Sequence, residues 1–213
     1  MFFLSAIMFS GCSGSSPEEK LYSNLEKTIE IEEGASGPAA KLNELEKENE
    51  EIFKVIIGLG EEDFQSISKE VDKAIKINEE RKKELEEESK AINKAKNEFN
   101  KSKNIINKLK NDEDKKIAEE MYVVMGERYE NFDSLFLEYK KSIDSNIKMY
   151  DLLKESEVSE DSIIKKVENT NTHNEKIIDY NKKINEKTDA YNLLKKELYK
   201  KMEMNINFSE ENE

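Results

Sequence analysis

The chain has 213 residues, 39% of them charged, with a net charge of −13, seven glycines, two prolines, one cysteine and no tryptophan. That charge argues against nucleic acid and polyanions as partners of the whole surface, and the lone cysteine excludes an intramolecular disulfide. A chain so charged and so poor in Gly and Pro is either disordered or built of long helices, and hydrophobic periodicity decides between them.

The first residues carry an address. An apolar run from Phe2 to Phe9 leads into Phe9-Ser10-Gly11-Cys12, which reads as a bacterial lipobox. Small residues beside the cut suit a processing protease, and the Cys12 thiol would then carry a diacylglycerol. Its two acyl chains suffice for stable attachment where one is marginal. Residues 1–11 are therefore expected to be a signal peptide and residues 12–16 a lipidated cysteine with a short tether. The expected location is the extracytoplasmic face of the cell membrane. No Lys or Arg precedes Cys12 and Phe9 stands where Leu is usual, so Met1 reads as an internal start or the leader as clipped. The plainer alternative is a free thiol in an apolar N-terminus. After the leader no stretch approaches 18 apolar residues, the length needed to span a bilayer.

Ser16-Pro17-Glu18-Glu19 is a helix start, with Ser as N-cap, Pro at the first position and Glu closing a capping box. The first helix places Leu21, Leu25 and Ile29 on one face. Gly34-Ala35-Ser36-Gly37-Pro38 predicts a loop or sharp kink, after which Leu42, Leu45, Ile52, Ile56 and Leu59 resume the pattern. From Phe64 to Leu109 a 3,4 spacing picks out Phe64, Ile67, Val71, Ala74, Leu85, Ile92, Ala95, Phe99, Ile106 and Leu109, interrupted by Asn78, Arg81, Glu88 and Ser102. Asn111 to Asp114 is expected to be a turn. A third helix carries Tyr122, Met125, Tyr129, Phe132, Phe136, Tyr139, Ile143, Tyr150 and Leu153, and closes at Ser156 to Ser159. Ser159 is the next expected N-cap, with Val158 and Ile163 as a hydrophobic staple. The fourth helix runs through Val167, Ile177, Ile184, Tyr191 and Leu198, with Thr170, Asn174, Asn181 and Thr188 making its middle polar. Short turns force antiparallel neighbours. The fold class is thus all-α: an elongated antiparallel up-and-down bundle of four long helices, the first kinked near residues 34–38. The bundle is expected over residues 17–205 and an acidic tail over 206–213.

Cys12, then Pro17-Glu18-Glu19-Lys20-Leu21-Tyr22 and Leu25-Glu26-Lys27-Thr28, together resemble the start of the YkyA-type cell-wall-binding lipoproteins of Gram-positive bacteria. The likeness continues through Glu127-Arg128-Tyr129 and through Tyr191 to Lys201, and covers nearly the whole mature chain. It implies an extracytoplasmic helical bundle associated with the wall, and no catalytic residues.

The sharpest internal feature is a triple heptad from Ile92 to Asp112. Asn93, Asn97, Asn100, Asn104 and Asn107 fall on its outer positions. Lys94, Lys101 and Lys108 follow one flank, and Lys96, Lys103 and Lys110 the other. The up-and-down topology returns this stretch towards the tether. The expectation is a face that meets anionic headgroups or the phosphates of lipoteichoic or teichoic acid, with Asn amides bonding glycan hydroxyls; the partners read are the membrane, through the lipid anchor, and peptidoglycan or teichoic acids. Near an anionic surface each lysine contributes about 1 kcal/mol. The same lysines also read as a solvated face matched to the helix dipole.

The aromatic stripe of the third helix reads as core, its Tyr hydroxyls reaching the boundary or the polar middle of the fourth helix. Asn78, Arg81, Thr170, Asn174 and Asn181 read as register-fixing or, alternatively, as the lining of a wet central cavity. His173 stands alone, so no metal is expected, and no cofactor. No phosphate loop, nucleophile elbow or HExxH is written, and each carboxylate lies on a helix surface. The reading is a non-enzymatic, lipid-anchored envelope protein that binds the cell wall. The alternatives are an anchored adaptor for an envelope or division protein, whose identity the sequence leaves open, and a carrier of a hydrophobic ligand.

Overall fold

The capping box at the start of the chain is formed. Ser16 Oγ accepts from the Glu19 N–H at 3.1 Å, and the Glu19 carboxylate accepts from the Ser16 N–H at 2.8 Å. Helix α1 then runs over Pro17–Glu33. The protein is represented by a computed structural model, which describes residues 15–59, 63–155 and 159–202. The break after α1 is tighter than the predicted loop. Gly34 and Ala35 bond back to Ile31 O and Glu32 O at 3.2 and 2.9 Å, and α2 (Ser36–Gly58) begins at once. Gly37 and Pro38 sit in its first turn, where proline's missing N–H has no helical partner to lose. Gly34 fits because a Cβ there would stand 3.1 Å from Ile31 O.

Helix α3 covers Phe64–Phe99, with the Asp63 carboxylate accepting from the Ser66 N–H at its start. The sequence predicts one helix to Leu109. Instead α3 ends at Phe99 and a single-turn α4 (Ser102–Ile106) follows. The cause is visible at Glu98, whose carbonyl oxygen accepts from Asn24 Nδ2 of α1 at 3.0 Å and from the Lys101 N–H at 3.1 Å. A side chain that takes a ladder carbonyl disturbs the i→i−4 pattern and tightens the turn. Phe99, Ser102 and Ile106 stay buried through it.

Asn111 to Asp114 is a helix start rather than a free turn. Asn111 Oδ1 accepts from the N–H groups of Glu113 and Asp114 at 2.9 and 3.2 Å, and α5 runs over Asp112–Leu152. Three acidic residues in its first turn match the positive end of the helix dipole. The last helix, α6, covers Glu160–Lys201 behind the N-cap residue Ser159, whose hydroxyl meets Ser162 Oγ at 2.8 Å instead of a backbone N–H. Ser156 and Val158, expected to close the third helix and staple the fourth, lie outside the described residues.

The result is an all-α bundle of four long rods, the first bent. Helix α2 lies along α3, α3 along α5 and α6 along α5, while α1 rests on α3 and α4. Helix α6 reaches α1 and α2 mainly through side chains, so a groove runs between the first and last rods. The principal core holds Leu21, Leu25, Met121, Ile143 and Leu198, all buried. Phe99 sits among the rings of Tyr122, Tyr129 and Tyr191, at 5.3, 6.0 and 6.3 Å. A smaller cluster of Ile56, Val71, Ala74, Met149 and Tyr150 closes the far end. Phe64, expected on the seam, is 47% exposed, because α2 stops at Gly58 before it could cover that turn. Glu88 occupies a seam position, and burial pushes its carboxyl up to about 7.

Candidate functional site

Two regions are candidates: the Lys/Asn flank and the groove. The flank lies at the bundle end where α1 begins, α3 and α4 finish and α6 ends. There Lys201 pairs with Glu113 at 2.7 Å and the rings of Tyr22 and Tyr199 meet at 5.3 Å. Lys94, Lys101, Lys103, Lys108 and Lys110 are exposed, as are Asn93, Asn97, Asn100, Asn104 and Asn107; Lys96 is half-buried. Two of the lysines are engaged within the fold, Lys96 with Asp133 at 2.7 Å and Lys101 with Glu98 at 2.6 Å. Lys103 lies 5.8 Å from the centre of the Tyr122 ring. Lys108 and Lys110 make no ion pair among the described residues. The tightened turn at Asn100 and Lys101 divides the flank between α3 and α4.

The groove is organised by three glutamates of the first rod. Glu26 accepts from Tyr199 at 3.0 Å and pairs with Lys195 at 2.8 Å. Glu32 accepts from Tyr129 at 3.3 Å and pairs with Arg128. Glu46 accepts from Tyr139 at 2.8 Å and pairs with Arg81 at 2.9 Å. Of the stripe's hydroxyls, those of Tyr129 and Tyr139 therefore go to carboxylates of α1 and α2, and that of Tyr122 goes to Asn100 Oδ1 at the boundary at 3.2 Å; none of these goes to the polar middle of α6. Of the α6 hydroxyls, Thr170 donates to Lys166 O, and Thr188 donates to Ile184 O while accepting from Arg128 Nε. Burial, reinforced by the neighbouring glutamates, holds the phenols of Tyr129, Tyr139 and Tyr199 well above their ordinary range. They remain donors at any physiological pH.

Two clefts open along this groove. The nearer to the α1 start encloses about 330 Å³ between α1, α5 and α6, with Arg128 and Tyr191 in its wall. Arg128 spends every arm of its guanidinium: Nε donates to Thr188 Oγ1 at 2.7 Å, and both terminal nitrogens donate to Glu32. Its plane also rests 4.8 Å from the Phe132 ring. The Tyr191 hydroxyl has no partner among the described residues. The farther cleft encloses about 400 Å³ between α2, α5 and α6, with Arg81 on its floor. Arg81 donates to Asn78 Oδ1 at 2.8 Å and to Glu46, but among the described residues neither its Nε nor the neighbouring Tyr150 hydroxyl has a hydrogen-bond partner. Burial pushes the Tyr150 phenol up to about 12.

Of the polar residues read from the seam, Arg81, Thr170 and Asn174 converge on this farther cleft. Asn78 lies beneath it, donating to Asn49 Oδ1 at 2.5 Å and Ala74 O at 2.8 Å, while Asn181 is exposed. Glu46 and Glu50 line the cleft from one helix, a turn apart, rather than facing each other across it as glycoside hydrolysis requires. His173 is not isolated: its Nδ1 lies 2.7 Å from Glu138. The Lys141 ammonium first, and His173 after it, hold the Glu138 carboxyl down at about 2. No group of three metal-ligating side chains occurs among the described residues. Nor is any described helix long and apolar enough to cross a membrane. Cys12 lies outside the described residues.

The class is that of a bacterial lipoprotein with an all-helical body: residues 16–201 match the family model described as "Putative cell-wall binding lipoprotein". The chain belongs to this family, YkyA. It is 28% identical over 172 residues to the uncharacterized lipoprotein YkyA of Bacillus subtilis (strain 168), covering 81% of this chain and 77% of the relative. The fold is shared with a conserved Staphylococcus aureus protein of unknown function known from a crystal structure. The TM-score is 0.75 at 20% identity, covering 88% of this chain and 98% of the other. No enzyme family is indicated by these likenesses.

Proposed function

We propose that the protein is a non-enzymatic envelope lipoprotein, moored by a diacylglycerol on Cys12 to the extracytoplasmic face of the membrane, whose bundle binds the cell wall. The observation that carries this reading is the junction at Ser16. The capping box closes four residues after Cys12, and the Lys/Asn flank lies at that same end of the bundle. Lipid headgroups and anionic wall polymers are both within reach of that end. Screening over about 8 Å at physiological salt separates the flank from more distant acidic surface.

Changing Lys94, Lys96, Lys101, Lys103, Lys108 and Lys110 to Gln tests the flank. Sedimentation of the full chain with wall fragments and with anionic liposomes is compared at two salt concentrations. Loss of binding that mirrors the effect of added salt supports the reading; unchanged sedimentation removes the flank from it. Intact mass of the membrane-extracted protein checks the anchor, since cleavage before Cys12 with a diacylglyceryl addition is expected.

A further inference from the structure

We propose that the cleft between α2, α5 and α6 is a binding site for an uncharged saccharide segment bearing N-acetyl groups. The inference rests on the wall-binding reading and gives it a second, separate site. Arg81 is 2% exposed and Tyr150 is 1% exposed, and both line the cleft. Arg81 Nε has no hydrogen-bond partner among the described residues, and neither does Tyr150 Oη, although the Asn49 amide stands beside that hydroxyl and offsets part of the rise that burial gives its phenol. A buried donor left unpaired is costly, so a site that holds two is built to meet acceptors from outside.

The mouth supplies the complementary groups. Asn49, Asn146, Asn171 and Asn174 line it with amides, each pairing a donor and an acceptor in one plane. That combination matches vicinal hydroxyls and, above all, an acetamido group, which presents an N–H and a C=O together. Two of the amides are held in place from behind. Asn174 Oδ1 accepts from Ser142 at 2.6 Å, which leaves its NH₂ to offer, and Asn49 Oδ1 accepts from Asn78 at 2.5 Å while its amide faces the Tyr150 hydroxyl. The Phe53 and Tyr150 rings, 6.5 Å apart at 75°, add an apolar wall for the C–H face of a sugar ring.

Charge selects the ligand further. Arg81 is balanced by Glu46, and Glu50 by Lys54 at 3.0 Å. A phosphate finds no spare cation in the cleft and an amine no spare carboxylate. At about 400 Å³ the space falls within the range of small-ligand sites. The nearer cleft differs: it holds an unpartnered Tyr191 hydroxyl, but all three Arg128 nitrogens are already engaged, and Asn192 is the one amide in its wall.

The test is calorimetric titration of the full chain, in mild detergent, with N,N′,N″-triacetylchitotriose, and with maltotriose as the hydroxyl-only control. Saturable binding of the acetylated trimer, with maltotriose much weaker, is expected. Tyr150→Phe removes only a hydroxyl, and Asn171→Ala alters an exposed residue, so both variants should fold, which circular dichroism verifies. Each is expected to weaken binding about tenfold, the equivalent of one lost hydrogen bond. No saturable binding, or equal affinity in both variants, overturns the site; equal binding of maltotriose overturns the N-acetyl assignment. The six-lysine variant separates the two readings, since it should keep trimer binding while losing sedimentation with walls. Wild-type walls that sediment without any trimer binding would end this proposal and leave the wall reading standing. Trimer binding without wall sedimentation would do the reverse.

Discussion

The two buried arginines sit in equivalent settings and do different things. Each stands in the groove between the first and last rods and pairs with a glutamate that also accepts from a tyrosine. Arg128 ties three helices together, since Glu32 belongs to α1, Thr188 to α6 and the arginine itself to α5. Arg81 ties α3 to α2 through Glu46, reaches Tyr139 of α5 beside it, and leaves its Nε without a partner among the described residues, with a glutamate whose side chain is 46% exposed. The difference shows that burial of a charge is not itself a function. What the neighbours leave unsatisfied separates a clamp from a candidate site.

The largest expected effect breaks the clamp. Arg128→Ala leaves Glu32 partly buried without its bidentate partner, a loss of about 3 kcal/mol. That is a fall in thermal midpoint of roughly 6–12 °C for a chain of this size, read by circular dichroism. Arg81→Ala should cost less, about 1–2 kcal/mol, because Glu46 can rehydrate. Equal losses would erase the distinction between the two arginines.

Glu88 sharpens the picture through pH. Its folded carboxyl is raised to about 7 by burial, so the folded state holds a proton that the unfolded chain releases near 4.5. Stability from this group is therefore full below about 4.5 and lost as pH rises through 7. Glu88→Gln should flatten the thermal midpoint between pH 5 and 8 and raise it at pH 8. Glu138 works in the opposite sense: its carboxyl is held down at about 2, so its contribution is present above 4.5 and lost as pH falls towards 2. The smallest effect belongs to Tyr150→Phe, which removes an unpartnered buried hydroxyl. It should leave the midpoint unchanged or raise it by up to about 1 kcal/mol of stability; a clear loss would mean that the hydroxyl is bonded.

Much of the fold was legible because its signals are local. The Ser16 and Glu19 box, the heptads through Leu85, Ile92 and Phe99, and the aromatic stripe of α5 each follow from spacing along one helix. Asn111 to Asp114 reads as a turn from sequence because an Asx cap and a turn share the same residues; the helix that follows distinguishes them. The break after Phe99 was illegible for a different reason: it depends on Asn24, 74 residues away, taking the Glu98 carbonyl. The groove was half legible. Arg81 and Asn78 stood out as polar residues in an apolar seam, which marked the place. The pairing of Tyr129, Tyr139 and Tyr199 with glutamates needs the register between rods, which no single-helix pattern carries. His173 looked solitary because its partner Glu138 belongs to another helix.

The closure of the first turn at Ser16 also sets a distance. From Cys12 to Ser15 the chain spans at most about 14 Å, and from Pro17 to Asn49 the first rod climbs about 50 Å of helix. A molecule held at Cys12 would carry Arg81 and Tyr150 within a bounded layer above the bilayer, as a mooring line does. Only strands passing through that layer would meet the cleft, whatever their abundance elsewhere in the envelope.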